Sequence, residues 1–459
     1  MNENNLKNIE NKNVLVVGMG KSGTAASQAL VKLGARVSIQ DSRTKDDMDP
    51  QLITFFEEKG VTCYLGENPA DLGQFDMLVL SPGVNPELAF VQEAESKGAE
   101  IIGELEIAYR ISSGTYIAIT GTNGKTTTTT LVGEIFERAK RKTYVVGNIG
   151  VAVISAALNA KEEDWMVTEV SSFQLQTTRY FKPMVSAILN LTPDHLNRHH
   201  TMKEYGLAKA KIFENQREGD YLVINLDDKE CYKLGTGCKA TIVPFSRKKE
   251  LDLGAFIKDG NIVIKNQAGE TVTICGADEL LIIGDHNLEN ALAAAAICYF
   301  AGIEPEVIGE TLRKFGGVEH RIEYCGEIDG VKFYNDSKGT NVDAALTAVR
   351  AIKKNIILIA GGDGKSQSFD EFIDGFNGSV KKLILLGRDG PIIQEAAERK
   401  GFTSYVTAKD MEECVRIGFE SAEPGDTVLL SPACASWDMY DNFEQRGEHF
   451  KNCVSRLER

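Results

Sequence analysis

Two glycines, a lysine and several threonines crowd into Thr120-Gly121-Thr122-Asn123-Gly124-Lys125-Thr126-Thr127. The apolar run Tyr116 to Ile119 precedes them, and a helical pattern through Leu131, Val132, Ile135 and Phe136 follows. Strand, glycine turn and helix N-terminus together make a phosphate cradle. Backbone N–H groups and the helix dipole face the anion, Lys125 adds a point charge, and the Thr126 hydroxyl is placed for Mg²⁺. Ile119 stands where the full Walker pattern has its first glycine, so a glycine turn without nucleotide is the competing reading.

Other residue types suit the same chemistry. Glu169 ends the strand-like run Met166-Val167-Thr168, which would deliver a carboxylate beside the loop, where a hard cation takes oxygen ligands. A solvated surface charge is the alternative. His195 follows Asn190-Leu191-Thr192-Pro193-Asp194 and reads equally as a metal ligand or a structural hydrogen bonder. His199 and His200 read as polar loop residues. Lys209, with Lys203 and Lys211 on a helix predicted over 203–215, reads by itself as part of a solvated face. Asp363 and Lys365 sit in Gly361-Gly362-Asp363-Gly364-Lys365-Ser366, either a plain turn or a ligand contact at a sheet edge. The polar run Asn335 to Asn341 is placed to cap a helix through Ala344 to Ile352.

These groups need elements to hold them, and three blocks each open on a strand-turn-helix signature. The first carries Gly18, Gly20 and Gly23 in a complete GxGxxG after Val14 to Val17, with Asp41 ending a second strand. Met77 to Leu80 runs into Ser81-Pro82-Gly83. The second block holds the phosphate loop, and the third begins near Gly317. The class is α/β with parallel sheets whose ligands lie at the C-terminal strand edges. Alone, the first block predicts either an NAD-dependent dehydrogenase or a cradle for the diphosphate of a UDP-sugar.

Bulk composition bounds the partners. At 459 residues the length prior is about three domains. A net charge of −15 argues against broad binding to nucleic acid or to an anionic membrane. The nine cysteines form no CxxC pair, which predicts reduced, structural thiols. Met1 to Asn13 is polar, without the apolar stretch of a secretory leader, and no apolar run has spanning length. A cytoplasmic protein is expected.

The combined motifs resemble the Mur ligase family of peptidoglycan synthesis. The loop at 120–127, the Glu169 strand into Ser171-Ser172-Phe173-Gln174, Asn190 to His199, the Lys209 helix, Gly284-Asp285-His286-Asn287 and His320-Arg321-Ile322-Glu323 follow in the family's order. The polar run at 335–341, the turn at 361–366, and Ser431 to Asp438 followed by Asn442 to Gly447 resemble the members that add D-glutamate. Gly339 departs from the frequent Ala.

The resemblance implies three domains: a Rossmann-like UDP-binding domain over 1–107, a central P-loop-type ATPase domain over 108–316, and a Rossmann-like amino-acid domain over 317–459. It implies a monomer using ATP and Mg²⁺ to join D-glutamate to UDP-N-acetylmuramoyl-L-alanine through an acyl phosphate. Lys21, Ser22, Ser42, Arg43, Ser81 and Gly83 would line the uridine and diphosphate site, and Asn148 the muramoyl end. Gly121, Thr122, Asn123, Gly124, Lys125, Thr126 and Thr127 would hold the ATP phosphates. Asn287, Asn290, Arg321 and Asp336 would surround the rest of the nucleotide. Thr126, Glu169, His195 and Lys209, the last carbamylated by CO₂, would hold Mg²⁺. Lys125, Glu169, His195 and Lys209 would form the catalytic group. Thr340, Lys365, Ser436 and Phe443 would hold D-glutamate. Related ligases that add another amino acid, or that extend folate with glutamate, and a non-catalytic nucleotide-binding regulator are the alternatives.

An acyl phosphate must be kept from water, and ligands spread over three domains make domain closure the natural means. Small-angle scattering should therefore differ between the free protein and the protein with ATP and both substrates. Superimposable profiles would rule closure out.

Overall fold

Apolar runs of four to seven residues, too short for helices, become the inner strands of three separate sheets. The computed structural model describes residues 9–364 and 368–457. The first sheet contains β1 (Asn13–Val17), β2 (Arg36–Asp41), β3 (Thr62–Leu65), β4 (Met77–Leu80) and β5 (Glu100–Gly103). Its order is β3-β2-β1-β4-β5, parallel throughout. Val14 to Val17 and Met77 to Leu80 are buried, as strands covered on both faces must be. Strand order reverses between β1 and β4, so the turns after these strands border the crevice where such sheets take ligands.

The second sheet has nine strands: β6 (Thr115–Thr120), β7 (Thr143–Gly147), β8 (Trp165–Glu169), β9 (Val185–Ile188), β10 (Tyr221–Asn225), β11 (Thr241–Ser246), β12 (Gly254–Lys258), β13 (Asn261–Lys265) and β14 (Thr271–Gly276). The order is β14-β13-β12-β11-β10-β9-β6-β8-β7, with only β12-β13 and β13-β14 antiparallel. β6 lies between β8 and β9, with Ile119 beside Glu169 and Thr120 beside Ile188. That register brings the phosphate loop, Glu169 and the Asn190 segment to one edge. The third sheet contains β15 (Glu323–Ile328), β16 (Val331–Asn335), β17 (Ile356–Gly361), β18 (Val380–Leu386), β19 (Tyr405–Thr407) and β20 (Thr427–Leu430). Its order β15-β16-β20-β17-β18-β19 sets the ends of β16, β20 and β17 side by side.

The chain forms two compact units. The first two sheets share one, which runs to Ala277 and adds Glu289–Leu312. The third sheet lies in the other, Asp278–Leu288 with the chain from Arg313 onward. None of the described helices is long and apolar enough to cross a membrane. The helix expected over 203–215 is shorter, Met202–Ala210, followed by a 3₁₀ turn. It starts earlier because the Thr201 side chain caps it, accepting from the Glu204 N–H. Asn341 caps Val342–Ile352 as its sequence position predicts.

Within the first unit, two buried carboxylates join the sheets. The helix Glu104–Ile111 leaves β5 directly. Glu104 accepts the Ile154 N–H at 2.7 Å, and burial pushes its carboxyl up to about 7 against that bond. Glu106 accepts the N–H groups of Arg179, Tyr180 and Phe181 and pairs with Arg110 Nε at 2.8 Å. Glu106→Ala would strand those three amides in the interior and leave Arg110 with Glu100 as its remaining carboxylate. It should destabilise the first unit by roughly 3–5 kcal/mol, read as a fall in the urea midpoint at unchanged slope.

Candidate active site

Between β6 and the helix Lys125–Arg138 the chain turns through Gly124 at φ +82°, and a Cβ there would meet Asn290 Oδ1 at 2.2 Å. Glycine is required on both counts. Asn190, leaving β9, fastens the turn. Its Oδ1 accepts from Thr122 N at 3.0 Å and Asn123 N at 2.8 Å, and its Nδ2 donates to Asn123 O at 3.0 Å. Thr122 Oγ1 donates to Thr192 O at 3.1 Å. Lys125 Nζ folds back onto Gly121 O at 3.0 Å and Thr122 O at 2.8 Å. Thr126 and Thr127 occupy the first helical turn, and Thr128 Oγ1 reaches Asn290 Oδ1 at 3.4 Å. Residues 121–127 and Asn290 are thus neighbours.

Lys209 is not on a solvated face. It is 1% exposed, its Nζ donates to the same Gly121 O at 2.8 Å, and it lies 4.5 Å from the Tyr205 ring centroid. Burial, with the Lys125 charge beside it, lowers its pKa to about 7. Nor is Glu169 a surface charge. At 1% exposed, its Oε1 accepts from Asn148 Nδ2 at 2.8 Å while its Oε2 is buried without a hydrogen-bond partner. An orphaned buried carboxylate oxygen is costly unless a cation completes it. His195 adopts a left-handed backbone conformation (φ +52°), its side chain 49% exposed. Its ring lies 4.8 Å from that of Phe173, and its Nε2 3.4 Å from Asp194 Oδ2.

The reading of His199 as a polar loop residue is corrected by its burial. It is 2% exposed, stacked at 5.3 Å on Phe173, with Nε2 2.9 Å from Ser172 Oγ. Burial, then the Arg198 and Lys209 charges, hold its pKa down to about 4, so it is neutral near pH 7. His200 pairs loosely with Glu87 at 3.5 Å and is exposed.

In the first sheet, Ser81 Oγ donates to Gly18 O at 2.7 Å. A Cβ at Gly23 would sit 1.8 Å from Gly18 O, so the glycine pattern here serves helix–strand packing. Asp41 Oδ2 accepts from Met19 N at 2.6 Å, and both its oxygens pair with Arg43. Burial opposes ionisation of Asp41, but the Arg43 and Met19 bonds outweigh it and hold the pKa at about 2. A carboxylate committed in this way is spent on shaping the loop, whereas a dinucleotide site offers its acid to the ribose. Lys21 Nζ donates to Gly150 O, beside Asn148. Ser42, Arg43, Gly83 and Lys21 are exposed and Ser22 partly so.

In the second unit, Asp336 is buried with both oxygens engaged, Oδ1 by Ile322 N at 3.3 Å and Oδ2 by Ser431 Oγ at 2.6 Å. Burial lifts its pKa to about 7 against those two bonds. It holds the turn that carries the exposed Arg321, which has left-handed His320 and Ile322 on either side. Asn287 Nδ2 donates to Ile283 O at 2.8 Å. The buried Arg446 crosses beneath the loops, donating to Ser337 Oγ, Ser337 O, Cys434 O and Ala435 O at 2.8–3.2 Å. It ties the Thr340 loop to the Ser436 loop. Phe443 opens the last helix, its ring 5.6 Å from Lys338 Nζ. Lys365 lies outside the described residues. Sequence reasoning gave no role to Asn190, Arg198, His199 or Arg446; all stand inside motifs it quoted, but only their partners reveal what they do.

Sequence profiles of the Mur ligase MurD-like N-terminal domain, the Mur ligase middle domain and the Mur ligase glutamate ligase domain match residues 12–103, 119–298 and 320–434. The chain belongs to the Mur ligase family. It is 48% identical over 454 residues to a UDP-N-acetylmuramoylalanine--D-glutamate ligase of a Thermoanaerobacter species, covering 98% of this chain and 100% of that one. It is 46% identical over 450 residues to the enzyme of the same name from Clostridioides difficile, covering 98% and 99%. Among solved structures, MurF from Acinetobacter baumannii matches with a TM-score of 0.58 at 16% identity, covering 99% of this chain and 98% of that one. UDP-N-acetylmuramate-alanine ligase MurC from Thermotoga maritima matches at 0.56 and 18%, covering 97% and 99%. These two likenesses establish the fold.

A depressed lysine pKa has a measurable consequence. Between about pH 7 and 10.5 the unfolded chain protonates Lys209 and the folded one does not, so this group makes stability rise with pH across that window. In CO₂-free buffer, Lys209→Met should flatten the plot of unfolding free energy, extrapolated from urea, against pH there, removing a slope of up to about 1.4 kcal/mol per pH unit. Parallel plots for both proteins would place the lysine in contact with solvent.

Proposed function

We propose that this chain joins the alanyl carboxylate of UDP-N-acetylmuramoyl-L-alanine to the amine of D-glutamate, converting ATP to ADP and phosphate in cytoplasmic peptidoglycan precursor synthesis. The observation that carries this reading is the 48% identity, over essentially the whole of both chains, to a ligase of that name. The domain borders proposed are 107/108 and 316/317, and a monomer holds every residue the reaction uses.

The chemistry follows from charge. A carboxylate is a poor acyl donor because oxide is a poor leaving group, and transfer of the γ-phosphoryl group makes an acyl phosphate that the amine attacks. Bringing carboxylate to phosphate opposes like charges by roughly 4 kcal/mol per unit pair at 4 Å and an effective dielectric of 20. Lys125, held at the loop, offsets part of this, and the loop amides and helix N-terminus receive the phosphates. Mg²⁺, when bound, would neutralise phosphate charge and stabilise the transferring group. The buried Oε2 of Glu169 fits such a cation, with Thr126 and His195 as further ligands. A lysine amine with a pKa of about 7 is nucleophilic toward CO₂. Addition of the neutral amine to CO₂ with loss of a proton would make Lys209 a carbamate, putting an anion where the amine stood. Ser436, Thr340 and Phe443 are assigned to D-glutamate, with Lys365 holding a carboxylate. Lys21, Ser22, Ser42, Arg43, Ser81, Gly83 and Asn148 are assigned to the sugar nucleotide.

Phosphate release by the purified protein should require ATP, Mg²⁺, UDP-N-acetylmuramoyl-L-alanine and D-glutamate together. No release from the complete mixture would overturn the ligase reading. Lys209→Ala should lower the rate by roughly 100-fold or more. Undiminished turnover in that variant would remove the carbamate.

A further inference from the structure

Arg198 stands three residues after His195 and bridges two parts of the first unit. Its Nη2 donates to Val84 O, in the loop after β4, at 2.8 Å, and to Gln176 Oε1, in the helix following Glu169, at 3.2 Å. Its guanidinium lies 4.9 Å from the ring centroid of Phe173, the ring against which His195 rests. Among the described residues no carboxylate lies within ion-pair distance of it, and its Nε is buried without a partner. A half-buried cation left unpaired in this way costs stability unless the site uses it. A planar, stacked guanidinium with two fixed acceptors suits holding two segments in register, which an ammonium on a flexible stem does not do.

We propose that Arg198 is a positioning residue that couples the loop receiving the sugar nucleotide, Ser81 to Val84, to the segment carrying His195. Seating the diphosphate end of the substrate and aligning its acid end then depend on each other through this side chain. The inference rests on the ligase reading above.

The test is steady-state kinetics of Arg198→Lys and Arg198→Ala with each substrate varied in turn, beside thermal melts and calorimetric titration of the sugar nucleotide. Arg198→Lys should melt close to wild type. Both variants should raise the sugar-nucleotide KM and Kd by about tenfold and lower kcat, leaving the ATP KM within about twofold. Arg198→Ala combined with Gln176→Ala should cost less than the product of the single effects, as coupled neighbours do. A sugar-nucleotide KM within about twofold of wild type in both variants would overturn the proposal, as would equal rises in all three KM values. Wild type that neither binds the sugar nucleotide nor releases phosphate would instead sink the ligase reading. Normal wild-type kinetics beside unchanged variants would sink the coupling alone.

Discussion

The carbonyl of Gly121 accepts two lysine amines, Lys125 at 3.0 Å and Lys209 at 2.8 Å. Two full positive charges on one acceptor repel strongly where water is scarce. The structure relieves this by burying Lys209 and favouring its neutral form, while Lys125 keeps its place at the turn. The arrangement requires Gly121 to present its oxygen inward, and Asn190 enforces that by holding the next two amides. The rest of the first unit can be read as support for that turn. β6 delivers it from the middle of a buried sheet, β8 brings Glu169 alongside, and the Asn190 segment leads to His195.

The same economy governs the carboxylates. Asp41, Glu104, Glu106 and Asp336 are all buried, and each accepts backbone amides that would otherwise go unsatisfied. They are structural acids that fix loops. Glu169 and Glu104 each keep one buried oxygen with nothing attached, but Glu169 accepts from a side chain, Asn148 Nδ2, and ends the strand beside the phosphate turn, whereas Glu104 holds a main-chain amide. Interior acids of identical type are therefore separated into scaffold and ligand by their partners, as the need to satisfy every buried polar group requires.

The second unit repeats the design with the opposite charge. Arg446 is buried, and desolvation lowers its pKa to about 10, yet its partners are carbonyls and a hydroxyl. Four bonds from one planar group hold the polar turns after β16 and β20 together. Gly447 beside it has no room for a side chain, since a Cβ would meet His320 Nδ1 at 2.2 Å. Gly339 is equally confined, with Asp336 Oδ2 2.5 Å from its would-be Cβ. The departure from the family's frequent Ala thus falls where space is short.

The sequence by itself determined the parallel α/β class, the phosphate turn at 120–127 and the inner strands. These follow from local patterns: apolar runs too short for helices, and glycines where only glycine fits. Its motifs also determined the family. The β12–β14 hairpins carried no comparable signal, and the helix after Thr201 ended earlier than its polar pattern implied. Burial was the hidden variable at the site. Lys209 and His199 look solvated in one dimension because their neighbours in the chain are polar. Only the tertiary structure decided that Lys209 meets Gly121 and that His199 packs under Phe173, and that Asp41 faces Arg43 instead of a ribose. Ionisation and metal affinity depend on desolvation and on partners distant in the chain, and no spacing of residue types encodes either.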